Sequence, residues 1–383
     1  SIYSVVDGLF VSNFVGKSAF AAVNLIMPFL MGISALGFMI GTGGSAIVAK
    51  TLGEGKIENA NEYFSMLVYI TTIGGIIIAI LSMFLVKPVA ILFGASDTLL
   101  DNCILYGRIL CISLPAFMLQ NVFQSFFVTA EKPHLGLRVI VIAGVTNMVL
   151  DFLFVAVFHL GLPGAGFATV CGEFIGGLFP LFYFGRKNSS LLKLGKTHFH
   201  GRILLKTCTN GSSELMTNLS SSVVNALYNM QLMKFAGEDG VAAYGTIMYV
   251  NFIFVSIFFG YAIGSAPIVS YHYGANNQDE LKNLFHKSIR LIGTWAVSLF
   301  IIAQLIATPL ATLFVGYDQA LFELTRSGFR LYSFAFLING FNIYGSAFFT
   351  ALNNGLLSAL ISFLRTLVFQ MAVVLLLPLL LGI

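Results

Sequence analysis

Long apolar runs separated by short polar breaks recur along the whole chain. Read at a helical period they predict eleven membrane-length helices, at roughly 1–14, 20–49, 62–86, 101–130, 136–158, 163–185, 204–233, 241–270, 283–307, 322–351 and 355–381. Several exceed the roughly 20 residues that one bilayer crossing needs, so they are expected to tilt or to project into water. The longest polar interruption is Arg186–Arg202, RKNSSLLKLGKTHFHGR. It divides the chain into an N-terminal lobe (1–185), a basic linker (186–203) and a C-terminal lobe (204–383). The linker reads as a solvated cytoplasmic loop, with contact to lipid headgroups as the alternative. Ser1 opens inside an apolar run with no charged segment before it, so no signal peptide is expected. The other end is LLPLLLGI, without a polar tail. The first helix therefore reads as incomplete and a last helix as missing.

The polar positions between spans carry two further patterns. Of the 20 Lys and Arg residues, 14 fall on one set of alternate loops and 6 on the other. The richer side is expected to face the cytoplasm. The two lobes also resemble each other at a shift of 221 residues. Phe20-Ala21-Ala22 falls on Val241-Ala242-Ala243, Gly53 on Gly274 and Phe64 on Phe285. Asp97, Gly107, Asn121 and Thr129-Ala130 fall on Asp318, Gly328, Asn342 and Thr350-Ala351. Six spans per repeat bring both halves in from the same side of the membrane. The expected fold is an all-α integral membrane protein of two six-helix lobes. A pseudo-two-fold along the membrane normal would relate them, with a cleft between, an arrangement that suits alternating-access carriers.

Composition agrees with the pattern. The chain is 57% hydrophobic and 9% charged, with a mean hydropathy of +0.90, against roughly 25% charged for a soluble domain. A net charge of +4, with no basic patch interleaved with aromatics, argues against nucleic acid as a partner. The four cysteines, Cys103, Cys111, Cys171 and Cys208, lack metal-ligand spacing and read as inert thiols.

Charge inside the apolar runs is the main chemical signal. Asp151, in TNMVLDFLF, is the single formal charge between Arg138 and Glu173. A carboxylate near mid-membrane costs at least ~2.5 kcal/mol and calls for a cation, a proton or a polar partner. Asn147 lies one helical turn earlier on the same face. Across the turn His159–Gly166, Thr169 returns to a similar depth on the next span. A carboxylate, an amide carbonyl and a hydroxyl can thus converge, an oxygen set that suits hard monovalent cations. The alternatives are a helix-packing Asn with a protonated Asp, and a Thr bonded to its own helix carbonyl. Asp7, with Tyr3 one turn before it, is a second acid of this lobe, close enough to a span end to snorkel. Glu173 shares a face with Thr169 and could be a substrate counter-ion, a second proton site or a paired acid. Glu214, near the start of the seventh span, could serve transport or favour a helix N-terminus. Polar residues at helical spacing, Asn218, Ser221, Asn225, Asn229, Gln120, Asn121 and Gln124, could face a wet cleft or bond neighbouring helices.

Several stretches together resemble one family. They are Asp7 with Gly16, GTGGSAIVAKTLGEGKIENAN (41–61), the turn after Glu131-Lys132-Pro133, and NMVLD followed by GAGFATV. In order, over essentially the whole chain and with the internal repeat, they resemble the multidrug and toxic compound extrusion (MATE) family. The similar branch is the prokaryotic one of DinF-like and MepA-like pumps. The resemblance implies twelve helices in two lobes around a V-shaped cleft. It implies Na+- or H+-driven export of bulky, often cationic drugs or toxic organic compounds, with no enzyme activity and no cofactor. It also implies a multi-pass protein of the prokaryotic inner membrane, in contact with lipid and acting as a monomer. The family's N-lobe cation site falls on Asp7, Asn147, Asp151 and Thr169, and Tyr3 matches a tyrosine beside that aspartate. Glu214 resembles an acid that some relatives use. The tenth span, LINGFNIYGSAFF, departs from relatives that carry an acid there.

Two other functions stay open at this point. A flippase of lipid-linked sugars would want arginines in the cleft for a diphosphate, and Arg365 is the main intramembrane candidate. A membrane enzyme acting on lipids would need a His/Asp metal cluster or a nucleophile with a base. Its nearest trace is His198-Phe199-His200 in the linker.

Overall fold

The computed structural model describes residues 7, 10–95, 97–316 and 318–381, and every described element is helical. Tyr3 lies outside those residues. The chain forms two compact units, Ser1–Gly211 and Ser212–Ile383.

The first unit opens with a π-helical turn, Val11–Val15. It continues with α1 (Lys17–Gly53), α2 (Ile57–Leu92), α3 (Asp97–Thr129), α4 (Pro133–Asp151), α5 (Gly161–Gly185) and the start of α6 (Gly201–Gly274). α3 is the centre of this unit and packs against α1, α2 and α5. Small residues set that closeness. A Cβ added to Gly177 of α5 would lie 2.2 Å from the Ala116 carbonyl of α3. One added to Gly43, in the GTGGSA stretch of α1, would lie 2.1 Å from the Thr207 carbonyl of α6. Backbones meet directly at both places, as small residues permit between membrane helices. Outer faces stay apolar: Ile73, Ile76, Ile77, Ile80 and Phe84 form an exposed stripe on α2. In water such a stripe would be a liability, whereas lipid covers it without loss.

The linker departs from the loop expected. Leu192 is fully buried against the cluster around Phe64 and Phe184. The Lys193 N–H donates to Asn61 Oδ1 at 2.6 Å, and the Gly195 N–H to Ser65 Oγ at 3.0 Å. Glu62 Oε1 lies 2.9 Å from His198 Nδ1 and 3.0 Å from His200 Nε2. Two leucines in a polar segment have an apolar seat on α2, and the backbone around them bonds along that helix. The linker is a docked strap rather than a freely solvated loop, and HFH meets a carboxylate. Among the described residues no group of three or more His, Cys, Asp or Glu is placed to hold a metal ion.

The second unit contains the rest of α6 with α7 (Gln278–Val315), α8 (Gln319–Tyr332), α9 (Phe336–Ala351), α10 (Gly355–Phe363) and α11 (Gln370–Leu381). Three of its starts carry side-chain caps, from Asn277, Asp318 and Asn354. Its core stacks Phe254, Phe258, Phe329, Phe336 and Tyr344. α6 runs as one helix across both expected spans except at Gly237, whose φ of 63° and ψ of −152° break it. That break has a counterpart. At the 221-residue shift Gly237 falls on Gly16, which separates the π turn from α1 at φ 118°. Likewise Gly55 (φ 78°) falls on Asn276 (φ 55°), and the starts of α2 and α7, Ile57 and Gln278, coincide. Among the described residues nine helices are long and apolar enough to cross a membrane, and the protein is a multi-pass membrane protein.

Candidate functional site

The acid-bearing hairpin is built by α4 and α5. Pro133 starts α4 at a position where its missing N–H costs nothing. The buried stripe of α4 then runs Gly136, Val139, Ala143, Gly144, Asn147, Asp151 at helical spacing. Immediately after Asp151 the helix widens into a π segment, Phe152–Val157. The turn that follows places His159 at φ 52° and Gly161 at φ 64°. α5 then returns along α4, and Gly172 lets the two come together. A Cβ there would sit 3.0 Å from the Ala143 carbonyl and 3.2 Å from Asn147 Cβ.

This packing joins the residues expected from spacing. Asn147 Nδ2 donates to Thr169 Oγ1 at 3.4 Å. Asp151 is fully buried, and the carboxyl groups of Asp7 and Asp151 are neighbours. Asp7 is 7% exposed, so it does not snorkel to water. No hydrogen-bond partner reaches Asp7 Oδ1, either carboxylate oxygen of Asp151 or Asn147 Oδ1. Two negative charges held together out of water repel strongly, and a buried charge is tolerated only when paired. Among the described residues no Lys, Arg or His forms an ion pair with either acid. The cluster is all oxygen, fitted to a proton or a hard monovalent cation.

Sequence spacing missed one member. Tyr106 of α3 is fully buried, and its hydroxyl adjoins Asp7 and Thr169. Nothing local marks it, because its role follows from α3 running through the middle of the unit. Glu173 lies half-buried one turn beyond Thr169, with the Ser113 hydroxyl beside its carboxyl. Glu214 belongs to the second unit. α6 begins at Gly201, so Glu214 sits in a helix interior, and the helix N-terminus reading is corrected. Its electrostatic partner is Arg365, on the π segment Leu364–Phe369, whose Nη2 reaches Thr217 Oγ1 at 3.5 Å. A groove of about 360 Å³ near Asp101 and Arg108 is lined by none of these acids.

The sequence profile of the MatE family matches residues 1–153 and 215–376. The chain belongs to the MatE family. Its relatives include the multidrug export protein MepA of Staphylococcus saprophyticus, 22% identical over 363 residues, 93% of this chain and 79% of the relative. MepA of Staphylococcus aureus strain N315 is 22% identical over 358 residues, 92% of this chain and 78% of the relative. Among solved structures, a MATE protein in the straight conformation superposes with a TM-score of 0.90 at 23% identity, over 96% of this chain and 82% of that one. An outward-facing multidrug resistance MATE transporter likewise gives 0.90 at 23% identity, over 96% and 82%. This MATE protein is thus a transporter rather than an enzyme, and the buried acids belong to a carrier.

Proposed function

We propose that this MATE transporter exports bulky, often cationic, organic compounds in exchange for Na+ or H+. The exchange is placed at Asp7, Asn147, Asp151 and Thr169, with Tyr106 completing the oxygen shell. The observation that carries it is the facing pair Asp7 and Asp151, whose oxygens are largely without partners in a buried setting. The MepA relatives carry multidrug export in their names, which supports the cargo class. A cation taken from outside offsets the repulsion within the pair and lets α4 and α5 pack more closely, a state that disfavours the cargo. Release of the cation to the cytoplasm restores repulsion and the cargo-binding state. Coupling requires that the cation bind the two states unequally. The protein acts as a monomer in the inner membrane. Tyr3, outside the described residues, is kept as a neighbour of Asp7 on sequence grounds alone. Glu214 is kept as a secondary transport residue tied to Arg365.

The test loads vesicles containing the protein with a fluorescent cationic dye and applies a Na+ gradient and a pH gradient separately. Asp151→Asn is expected to abolish gradient-driven release while the protein stays folded. Unchanged release by that variant removes the proposal. A second reading, a flippase of lipid-linked sugars, is favoured by Arg365, whose buried Nη1 lacks a partner. Dye release under neither gradient would support it.

A further inference from the structure

The exchange just proposed leaves one half-buried carboxylate of the first unit unused. Glu173 projects from α5 one turn past Thr169, and a cavity of about 10 Å³ lies beside it. Gln120 of α3, Asn147 of α4, and Thr169 and Glu173 of α5 line it, with the backbones of Gly144 and Gly172. That volume admits one water-sized occupant and excludes an organic cargo. Glycines hold the walls together: a Cβ on Gly176 would lie 2.5 Å from Gln120 Oε1, and one on Gly172 would crowd Asn147.

Asn147 is the second observation. It is 2% exposed, its Nδ2 is spent on Thr169, and its Oδ1 has no partner. A buried carbonyl oxygen without a donor is costly unless something positive or protic occupies the adjoining space. Charge balance points the same way. Three carboxylates, those of Asp7, Asp151 and Glu173, share one interior, and among the described residues none has a basic side chain as an ion-pair partner. One monovalent cation on the acid pair still leaves net negative charge in this interior, and Glu173 has only the Ser113 hydroxyl beside its carboxyl.

We propose that Glu173, Gln120, Asn147 and Thr169 form a second station for a monovalent metal cation, Na+, adjoining the Asp7–Asp151 site and sharing Asn147 and Thr169 with it. The inference rests on the cation-coupled reading above. Shared ligands make the two stations interdependent, so filling one orders the oxygens of the other.

The experiment measures equilibrium binding of radioactive 22Na+ to the purified full chain. Two ions per molecule are expected for the unaltered protein, one for Glu173→Gln, and two for Glu173→Asp, which retains the charge. Gln120→Leu, a variant that leaves every carboxylate in place, is expected to weaken the second ion by roughly tenfold or more. Glu173→Gln binding as many ions as the unaltered protein, or an unaltered protein that binds one, overturns the second station and leaves the first reading standing. An unaltered protein that binds no 22Na+ also overturns it, and the pH-gradient arm of the dye assay then decides the first reading separately.

Discussion

At the scale of single residues, the chemistry of the first unit is a problem of oxygens without donors. Asp7, Asn147 and Asp151 each present buried oxygen to its neighbours and receive no hydrogen bond there. Tyr106 differs from them, because its hydroxyl adjoins Asp7 and Thr169 yet makes no aligned bond. An unpaired buried hydroxyl adds little to stability, and replacing it by hydrogen is close to neutral or stabilising. Tyr106→Phe is therefore expected to leave the melting temperature within the equivalent of about 1 kcal/mol. Its effect should instead fall on the ion, raising the cation concentration for half-maximal efflux by roughly tenfold or more. A thermal melt and a cation titration of dye release check the two halves. Unchanged cation dependence would remove Tyr106 from the site.

At the scale of elements, glycine decides where helices stop and how close they lie. Gly16 and Gly237 take positive φ at equivalent points of the two halves. No Cβ contact obstructs Gly237 within 4 Å, so the backbone conformation alone opposes a side chain. Gly237→Ala should cost about 1–3 kcal/mol, the strain of an L residue at a positive φ with extended ψ, a region reserved almost entirely for glycine. Thermal unfolding of the variant measures it, and an unchanged midpoint would show that the break does not persist. The strap after α5 illustrates a different limit. Its charges suggested solvent, whereas Leu192 and backbone bonds to Asn61 and Ser65 dock it on α2. Buried Leu192, half-buried Leu194 and a set of local hydrogen bonds hold the segment to the unit, while its lysines still reach water.

At the scale of the whole molecule, membrane orientation and transport become the testable properties. The asymmetry of basic residues predicts a cytoplasmic strap. Lys196 is exposed on it, so Lys196→Cys should react with a membrane-impermeant maleimide in inverted vesicles and not in intact cells. Cys103 and Cys111 are buried and Cys171 and Cys208 are half-buried, which keeps their background low. Labelling in intact cells would reverse the orientation.

The sequence alone determined the all-helical membrane class, the run of spans and the placement of Asn147 and Asp151 on one face of a helix. Those follow from apolar length and from a helical repeat that acts within a few residues. It also marked Thr169, because a short turn between two helices fixes their relative depth. Tertiary structure decided the rest. Tyr106 joins Asp7 and Thr169 only because α3 passes through the centre of the unit, and Gln120 and Glu173 line one cavity because Gly176 makes room for the Gln120 side chain and Gly172 lets α5 approach α4. Contacts of that kind depend on which helix faces which, and periodicity along one helix carries no information about its neighbour.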